Sequence, residues 1–257
     1  MTAAEPRSAR RSRRRPVAGE VGRVAALLAL LATLALYYAF HDRLWSASTW
    51  WDIAFVSIVL IPACFAVVLL VLPWWRGRGL LAVGVAFAVL AWAFHVAGWN
   101  TVENFCKLFA VTAVAFAFLQ AFETLGWVVL VSLIIPWVDA FSVFSTHGPT
   151  HNITEHHPGV FTAFSFAFPV PGEDSGANLG LPDLLFFALF LAATARFRLR
   201  TWLTWLLMTA SFGATLAFTV VLDLEGLPAL PLLSLGFLAA NGDLIWTQLR
   251  RSADARR

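Results

Sequence analysis

The feature that most constrains this fold is a series of long apolar runs, each about the length of a bilayer-spanning helix. The runs recur along the whole 257-residue chain, in which 60% of the residues are hydrophobic and 13% are charged. A hydrocarbon core about 30 Å thick is crossed by roughly 20 apolar residues in a helix, whereas soluble domains usually carry about 25% charged residues. The sequence therefore predicts an all-α polytopic membrane protein.

Eight of these apolar segments are predicted to span the membrane. They cover residues 24–40, 51–73, 79–98, 105–122, 125–145, 180–195, 201–222 and 228–247. A polar loop rich in His, Pro and Gly, residues 146–179, separates the fifth span from the sixth. Within this loop, the stretch FTAFSFAF (161–168) has the spacing and β propensity of a short strand.

The chain divides into four predicted regions. Residues 1–23 contain seven Arg and almost no apolar residue, which predicts a disordered basic tail. Residues 24–122 form the N-terminal group of spans. Residues 123–248 form a core of four spans that includes the loop 146–179. Residues 249–257 are predicted to form a second basic tail.

The basic residues lie almost entirely on one side of the predicted membrane. Sixteen of the 18 Lys and Arg fall in the two tails and in the connections after spans two and six; the exceptions are Arg43 and Lys107. Cytoplasmic loops of membrane proteins carry the excess of Lys and Arg. We therefore expect both termini in the cytoplasm and the 146–179 loop outside, with the basic tail serving topology and no nucleic-acid partner.

Two acidic residues, Asp139 and Asp183, fall inside predicted spans. A charged side chain at the centre of a bilayer costs about 2.5–3.5 kcal/mol on insertion scales, so such residues suggest a functional site. Asp139 lies roughly 9 Å below the outer end of span five, and Asp183 lies near the outer start of span six. Because these consecutive spans are antiparallel, the two carboxyl groups can face each other. The alternative for either Asp is a neutral side chain that hydrogen-bonds a neighbouring helix.

A facing pair of carboxyl groups in a low-dielectric site shares one proton. One ionised and one protonated carboxyl is the arrangement that aspartic proteolysis uses, with the pair acting as a unit. The start of span eight lies at the same level, and its Pro228 and Pro231 predict partly unwound backbone, since neither donates a backbone hydrogen bond. The alternative there is an ordinary helix start, where Pro is common.

Three short motifs carry these residues in a fixed order. They are Val138-Asp139, Gly180-Leu181-Pro182-Asp183 and Pro228-Ala229-Leu230. This combination resembles the presenilin and signal peptide peptidase family of intramembrane aspartyl proteases, whose members carry Tyr-Asp, Gly-x-Gly-Asp and Pro-Ala-Leu. The segments VDAFSVFSTHGP and ANLGLPDLLFFALFLA are also similar to family sequences, and the resemblance covers about residues 105–247.

The resemblance implies a protease that cuts peptide bonds within single-span membrane proteins. It implies Asp139 and Asp183 as the catalytic pair. It also implies a substrate-binding set comprising Gly180, Leu181, Pro182, Pro228, Ala229 and Leu230. The external loop and cytoplasmic C-terminus match the signal peptide peptidase branch of the family. This branch implies substrates with a cytoplasmic N-terminus, such as signal-peptide remnants. The expected location is a bacterial plasma membrane. FTAFSFAF (161–168) is the candidate for a strand that would pair with the opened substrate, and the alternative is that this region forms an external lid or loop.

Three departures from the family pattern keep other functions open. Pro182 replaces the Gly that usually precedes the second Asp, Val138 replaces a Tyr, and eight spans are counted where the family usually has nine. A family member that acts as a membrane scaffold without proteolysis is one alternative. A transporter in which Asp139 and Asp183 bind a proton or cation is another.

The sequence predicts no metal and no cofactor. Four loop histidines, His147, His151, His156 and His157, could in principle bind Zn²⁺, but an exposed polar loop explains them as well, and no H-E-x-x-H motif is present. Three further acidic residues, Glu103, Glu123 and Asp243, lie near span ends and are expected to reach the membrane interface.

Overall fold

The described part of the chain contains eight long helices and one small β-hairpin. The computed structural model describes residues 14–145, 162–173, 176–224 and 227–254. In chain order its elements are α1 Arg14–Phe40, α2 Thr49–Arg76, α3 Leu80–Val96, α4 Asn100–Gln120, α5 Leu125–Phe144, β1 Ser165–Pro169, β2 Gly176–Gly180, α6 Leu181–Phe197, α7 Thr201–Val221 and α8 Leu230–Asp254.

Six of the described helices are long and apolar enough to cross a membrane. They are Gly19–Arg43, Thr49–Arg76, α4, α5, α7 and Leu230–Arg251. This confirms the prediction of an all-α polytopic membrane protein. The other two helices, α3 and α6, lie where spans were predicted but have only 17 residues each, which corresponds to about 25 Å of helix.

The N-terminal region departs from the prediction because α1 begins at Arg14. Residues 14–23 were expected to be disordered, whereas they form the first turns of this helix; residues 1–13 lie outside the described part of the chain. Hydropathy marks where a helix enters the membrane, not where it begins. Pro16 falls in the first turn, where its missing N–H breaks no intrahelical bond. At the other end, α8 likewise continues into the predicted tail, as far as Asp254.

Helix α6 occupies the centre of the helical bundle. It contacts α2, α4, α5, α7 and α8, and its residues 187–194 are all buried. The Phe187 ring lies 4.1 Å from that of Phe65 on α2, and the Phe190 ring stacks on Phe237 of α8 at 4.9 Å. Because α6 is surrounded by protein, the helix that carries Asp183 contacts other helices on every side.

Helix α5, which carries Asp139, lies at the edge of the bundle. It packs mainly against α8 and also contacts α6. Only Leu125, Val128 and Ser132 of this helix are buried, and Trp137 is 78% exposed. The large apolar side chains on its outer face are suited to contact with lipid.

The hairpin confirms the predicted strand in part and adds a second strand. FTAFSFAF was expected to be extended throughout, but β1 begins at Ser165, after helical residues 162–163. Strand β2 was not predicted, because its sequence GANLG has little β propensity. The strands pair antiparallel with Ser165 opposite Gly180 and Pro169 opposite Gly176. Since β2 ends at Gly180 and α6 begins at Leu181, the hairpin leads directly to Asp183.

Candidate functional site

Asp139 is tied to the start of α8. Its Oδ2 accepts a hydrogen bond of 3.0 Å from the backbone N–H of Leu230. Leu230 is the first residue of α8, and the first N–H groups of a helix have no partner within it. Asp139 therefore caps α8, and this bond connects the first motif of the sequence to the third.

The Pro228-Ala229-Leu230 motif lies buried where α8 begins. Pro228 and Ala229 are not helical, and all three residues are buried. Pro228 lies just before α8 and Pro231 belongs to its first turn, so the structure shows the alternative of an ordinary helix start. The reason is that Pro at the start of a helix removes an N–H that has no intrahelical partner.

Asp183 lies in the first turn of α6, with Gly180 as the N-cap residue. Its carboxyl group accepts a hydrogen bond from the Gly180 backbone, as an acidic residue at the third helical position does in a capping box. A Cβ at position 180 would lie 3.0 Å from Oδ2 of Asp183, so glycine leaves room for this carboxyl group. Pro182 occupies the second helical position without interrupting α6.

The two acidic residues lie at one level of the bundle. The charge of Asp139 acts on Asp183, so the two carboxyl groups are within electrostatic range. The Phe190–Phe237 stack fixes the register of α6 against α8. Asp183 precedes Phe190 by seven residues and Leu230 precedes Phe237 by seven, so Asp183 lies level with Leu230. Because the N–H of Leu230 donates to Asp139, the two carboxyl groups lie at the same level, beside the N-termini of α6 and α8.

The remaining predicted site residue, Leu181, faces another part of the molecule. Together with Leu185 it lines an apolar groove of about 340 Å³ that also runs along α3 and α4. Successive helix residues are about 100° apart, so Asp183, two positions later, lies on the opposite side of α6. The structure therefore places Gly180 against Asp183 and the N–H of Leu230 against Asp139, with Pro228 and Ala229 just before Leu230. Pro182 directly precedes Asp183 and is exposed, and the side chain of Leu181 is separated from the acidic pair.

The outer edge of β1 is occupied by side chains from the helices. The carbonyl of Ala167 accepts hydrogen bonds from Asn104 Nδ2 at 2.7 Å and from the Tyr38 hydroxyl at 2.9 Å. The Ala167 N–H donates to Asn104 Oδ1 at 3.0 Å. Further along, the carbonyl of Pro169 accepts from the Tyr37 hydroxyl at 2.7 Å. The outward carbonyls of Ala167 and Pro169 and the outward N–H of Ala167 are therefore not available to another strand.

The outer edge of β2 differs, because β1 is its one strand neighbour among the described residues. The N–H of Leu181 donates to the carbonyl of Phe164 across the hairpin. Hydrogen-bonded and non-hydrogen-bonded pairs alternate along antiparallel strands, so the backbone groups of Gly176, Asn178 and Gly180 point away from β1. This edge runs toward Asp183, whose carboxyl group contacts the Gly180 end.

A buried ion pair holds the start of β1 in place. Lys107 Nζ lies 2.6 Å from Glu103 Oε1 and donates to the carbonyls of Thr162 and Ser165. His95 Nδ1 is 3.1 Å from both carboxylate oxygens of Glu103. The expectation that Glu103 reaches the interface is wrong, since it is only 5% exposed. The missed signal is the spacing of Glu103 and Lys107, four residues apart in one apolar helix.

We expect Lys107→Met to destabilise the fold by about 3–5 kcal/mol, because it leaves the buried Glu103 carboxylate without its ammonium partner and with His95 as its remaining neighbour. The change also removes two hydrogen bonds to the hairpin. Thermal unfolding of the purified protein in micelles measures the loss. The double variant Glu103→Gln/Lys107→Met is the matched control and should recover part of it. If Lys107→Met is as stable as the wild type, the ion pair does not hold the start of β1 in place.

No metal site is found in the described part of the chain, where no three His, Cys, Asp or Glu side chains gather. The four loop histidines of the sequence lie among residues 146–161, outside the described residues.

Comparison with known proteins gives no family assignment. No protein-family model matches the chain, and no curated protein is significantly similar to it. The assignment of a function therefore rests on the three motifs and on the geometry that joins them.

Proposed function

We propose that this protein is an intramembrane aspartyl protease whose catalytic pair is Asp139 and Asp183. The observation that carries the proposal is the position of two carboxyl groups within electrostatic range of each other, beside the N-termini of α6 and α8. Residues of all three motifs take part in this arrangement. The helix N-termini favour negative charge, which stabilises the one ionised carboxylate that the reaction requires.

The reaction is hydrolysis by a general acid and a general base. The ionised carboxylate takes a proton from water as the water oxygen forms a bond to the scissile carbonyl carbon, and the protonated carboxyl donates its proton to the carbonyl oxygen. The diol then collapses and the C–N bond breaks: the carboxyl group that took water's proton gives it to the leaving nitrogen, and the other carboxylate takes a proton from a diol hydroxyl, which restores the starting pair. Either Asp can fill either role, because the pair exchanges one proton.

The β2 edge is the proposed docking strand for the substrate. A substrate helix has its backbone groups paired internally, so it must unwind before a peptide bond reaches the carboxyls. Unwound backbone at membrane depth needs new hydrogen-bond partners. The outward groups of Gly176, Asn178 and Gly180 supply them by strand addition, and they deliver the extended segment toward Asp183.

We further propose eight membrane spans, including the short helices α3 and α6, with both termini in the cytoplasm of a bacterial cell. The one-sided distribution of Lys and Arg supports this orientation. It places the hairpin and the acidic pair toward the extracytoplasmic side. Substrates would then be single spans with a cytoplasmic N-terminus, such as signal-peptide remnants, and the enzyme would need no metal or cofactor.

Reconstituted cleavage tests this function directly. We expect the purified protein in lipid vesicles to cut a single-span substrate whose N-terminus lies on the side of the enzyme's own termini. The same span inserted in the opposite orientation is the matched control and should be cut at least about tenfold more slowly, since its direction reverses strand pairing and site register. Cleavage of the reversed substrate alone would contradict the proposed orientation, and no cleavage of either would contradict the protease.

A non-catalytic scaffold is the second candidate, favoured by the hydrogen bonds of the acids themselves. Asp139 caps α8 and Asp183 bonds back to Gly180, so each carboxyl group also has a structural role. A scaffold needs these bonds but needs no shared proton, and its partners would bind without being cut.

A further inference from the structure

Ser234 lies on the face of α8 that packs against α6, the helix that carries Asp183. In α8, positions 230, 234, 237 and 241 fall within one narrow stripe, because residues three and four apart share a helix face. Leu230 at the top of this stripe meets Asp139, and Phe237 below stacks on Phe190 of α6. Ser234 lies between them and is only 2% exposed.

The hydroxyl of Ser234 has no hydrogen-bond partner among the described residues. Other hydroxyls in these helices bond backbone carbonyls four residues earlier, as Ser211 does with Leu207. A buried polar group without a partner is costly, and in native proteins it commonly binds an internal water. The hydroxyl of Ser234 therefore needs a partner that the described part of the chain does not supply.

The direction of this side chain places its hydroxyl near the acidic pair. Ser234 is one turn after Leu230, or about 6 Å along the axis, and the Cα–Cβ bonds of a helix tilt toward its N-terminus. The side chain thus leans toward the level of Leu230 and Asp139. The register of α6 against α8 puts Asp183 at that same level.

We propose that Ser234 is a positioning residue that holds the water molecule used by Asp139 and Asp183, an inference that rests on the proposed protease function. The Ser234 oxygen accepts a hydrogen bond from one O–H of the water, and the ionised carboxylate accepts a hydrogen bond from the other. The water oxygen then keeps a lone pair directed at the substrate carbonyl. Its proton passes to the carboxylate as the C–O bond forms, and Ser234 makes no covalent bond.

Cleavage kinetics of Ser234→Ala test this role. We expect kcat to fall about 10- to 100-fold with KM unchanged, since a positioned reactant lowers the barrier without adding substrate contacts. Ser234→Thr retains the hydroxyl and should keep most of the activity. The matched control is Thr209→Val, because Thr209 on α7 is the other buried unpaired hydroxyl in the described residues; its removal should leave kcat unchanged.

Infrared spectroscopy of the carboxyl groups gives a second readout that does not require cleavage. The carboxyl stretching band of the pair, identified by its loss in Asp183→Asn, should shift in Ser234→Ala and stay in place in Thr209→Val. If the wild type cuts the substrate and Ser234→Ala has the same kcat, the role of Ser234 is wrong, whereas the proposed protease function is unaffected. An inactive wild type overturns the protease, and the infrared shift alone then decides whether Ser234 shares a water with the acids.

Discussion

Replacing Asp183 with Asn is expected to reduce intramembrane cleavage by about 10³-fold or more, near the upper part of the range for loss of a positioned acid or base. The protein should remain folded, because the Asn oxygen still accepts the hydrogen bond from Gly180. Initial rates with a single-span substrate in vesicles measure the first effect, and the unfolding temperature of the same preparation measures the second.

A pair of variants at Asp139 separates proteolysis from helix capping. Asp139→Asn keeps an acceptor for the Leu230 N–H, so we expect a stable, inactive protein. Asp139→Ala leaves that N–H buried without a partner and should cost about 1–3 kcal/mol of stability in addition. If both Asn variants cut substrate at the wild-type rate, the acids serve only as caps, and the scaffold becomes the better description.

The membrane spans were predictable because hydropathy reports a simple physical requirement. Helices in lipid must be apolar over their length, and helices occupy all eight predicted segments, of which six are long and apolar enough to cross a membrane. The beginning of α1 was not predictable in this way, since residues 14–23 extend the helix outside any apolar stretch. Hydropathy also gave no sign that α6 is central and α5 peripheral, because both have similar apolar composition.

The acidic pair could be proposed from the sequence, but its connections could not. Depth and antiparallel order placed Asp139 and Asp183 on the same side of the bundle. The bond from Leu230 to Asp139 depends on how α5 packs against α8, which no local pattern encodes. Similarly, β2 forms because β1 offers it a partner, and Glu103 is buried because Lys107 neutralises it. Pairwise tertiary contacts of this kind override local propensity.

Closing the outer edge of β2 is expected to slow cleavage strongly while the acidic pair stays in place. Asn178→Pro removes an N–H that points away from β1, and Pro is tolerated on edge strands at such positions. The hairpin ladder should therefore survive, but a substrate strand loses a central hydrogen bond and meets the proline ring. We expect cleavage to fall at least about 30-fold, as loss of one or two backbone hydrogen bonds at a cost of about 2 kcal/mol predicts. Initial rates at saturating and limiting substrate measure the fall.

Two matched variants show whether the backbone of β2 is responsible. Asn178→Ala removes the side-chain contact with the Ser165 hydroxyl but keeps the N–H, so its activity should stay within about threefold of the wild type, or about 0.7 kcal/mol. Ala177→Pro removes an N–H that faces β1 and should lower stability as well as activity. Equal activity of Asn178→Pro and Asn178→Ala would mean that substrates reach Asp183 without pairing to β2, because loss of the N–H at position 178 slows cleavage only if the substrate bonds to it.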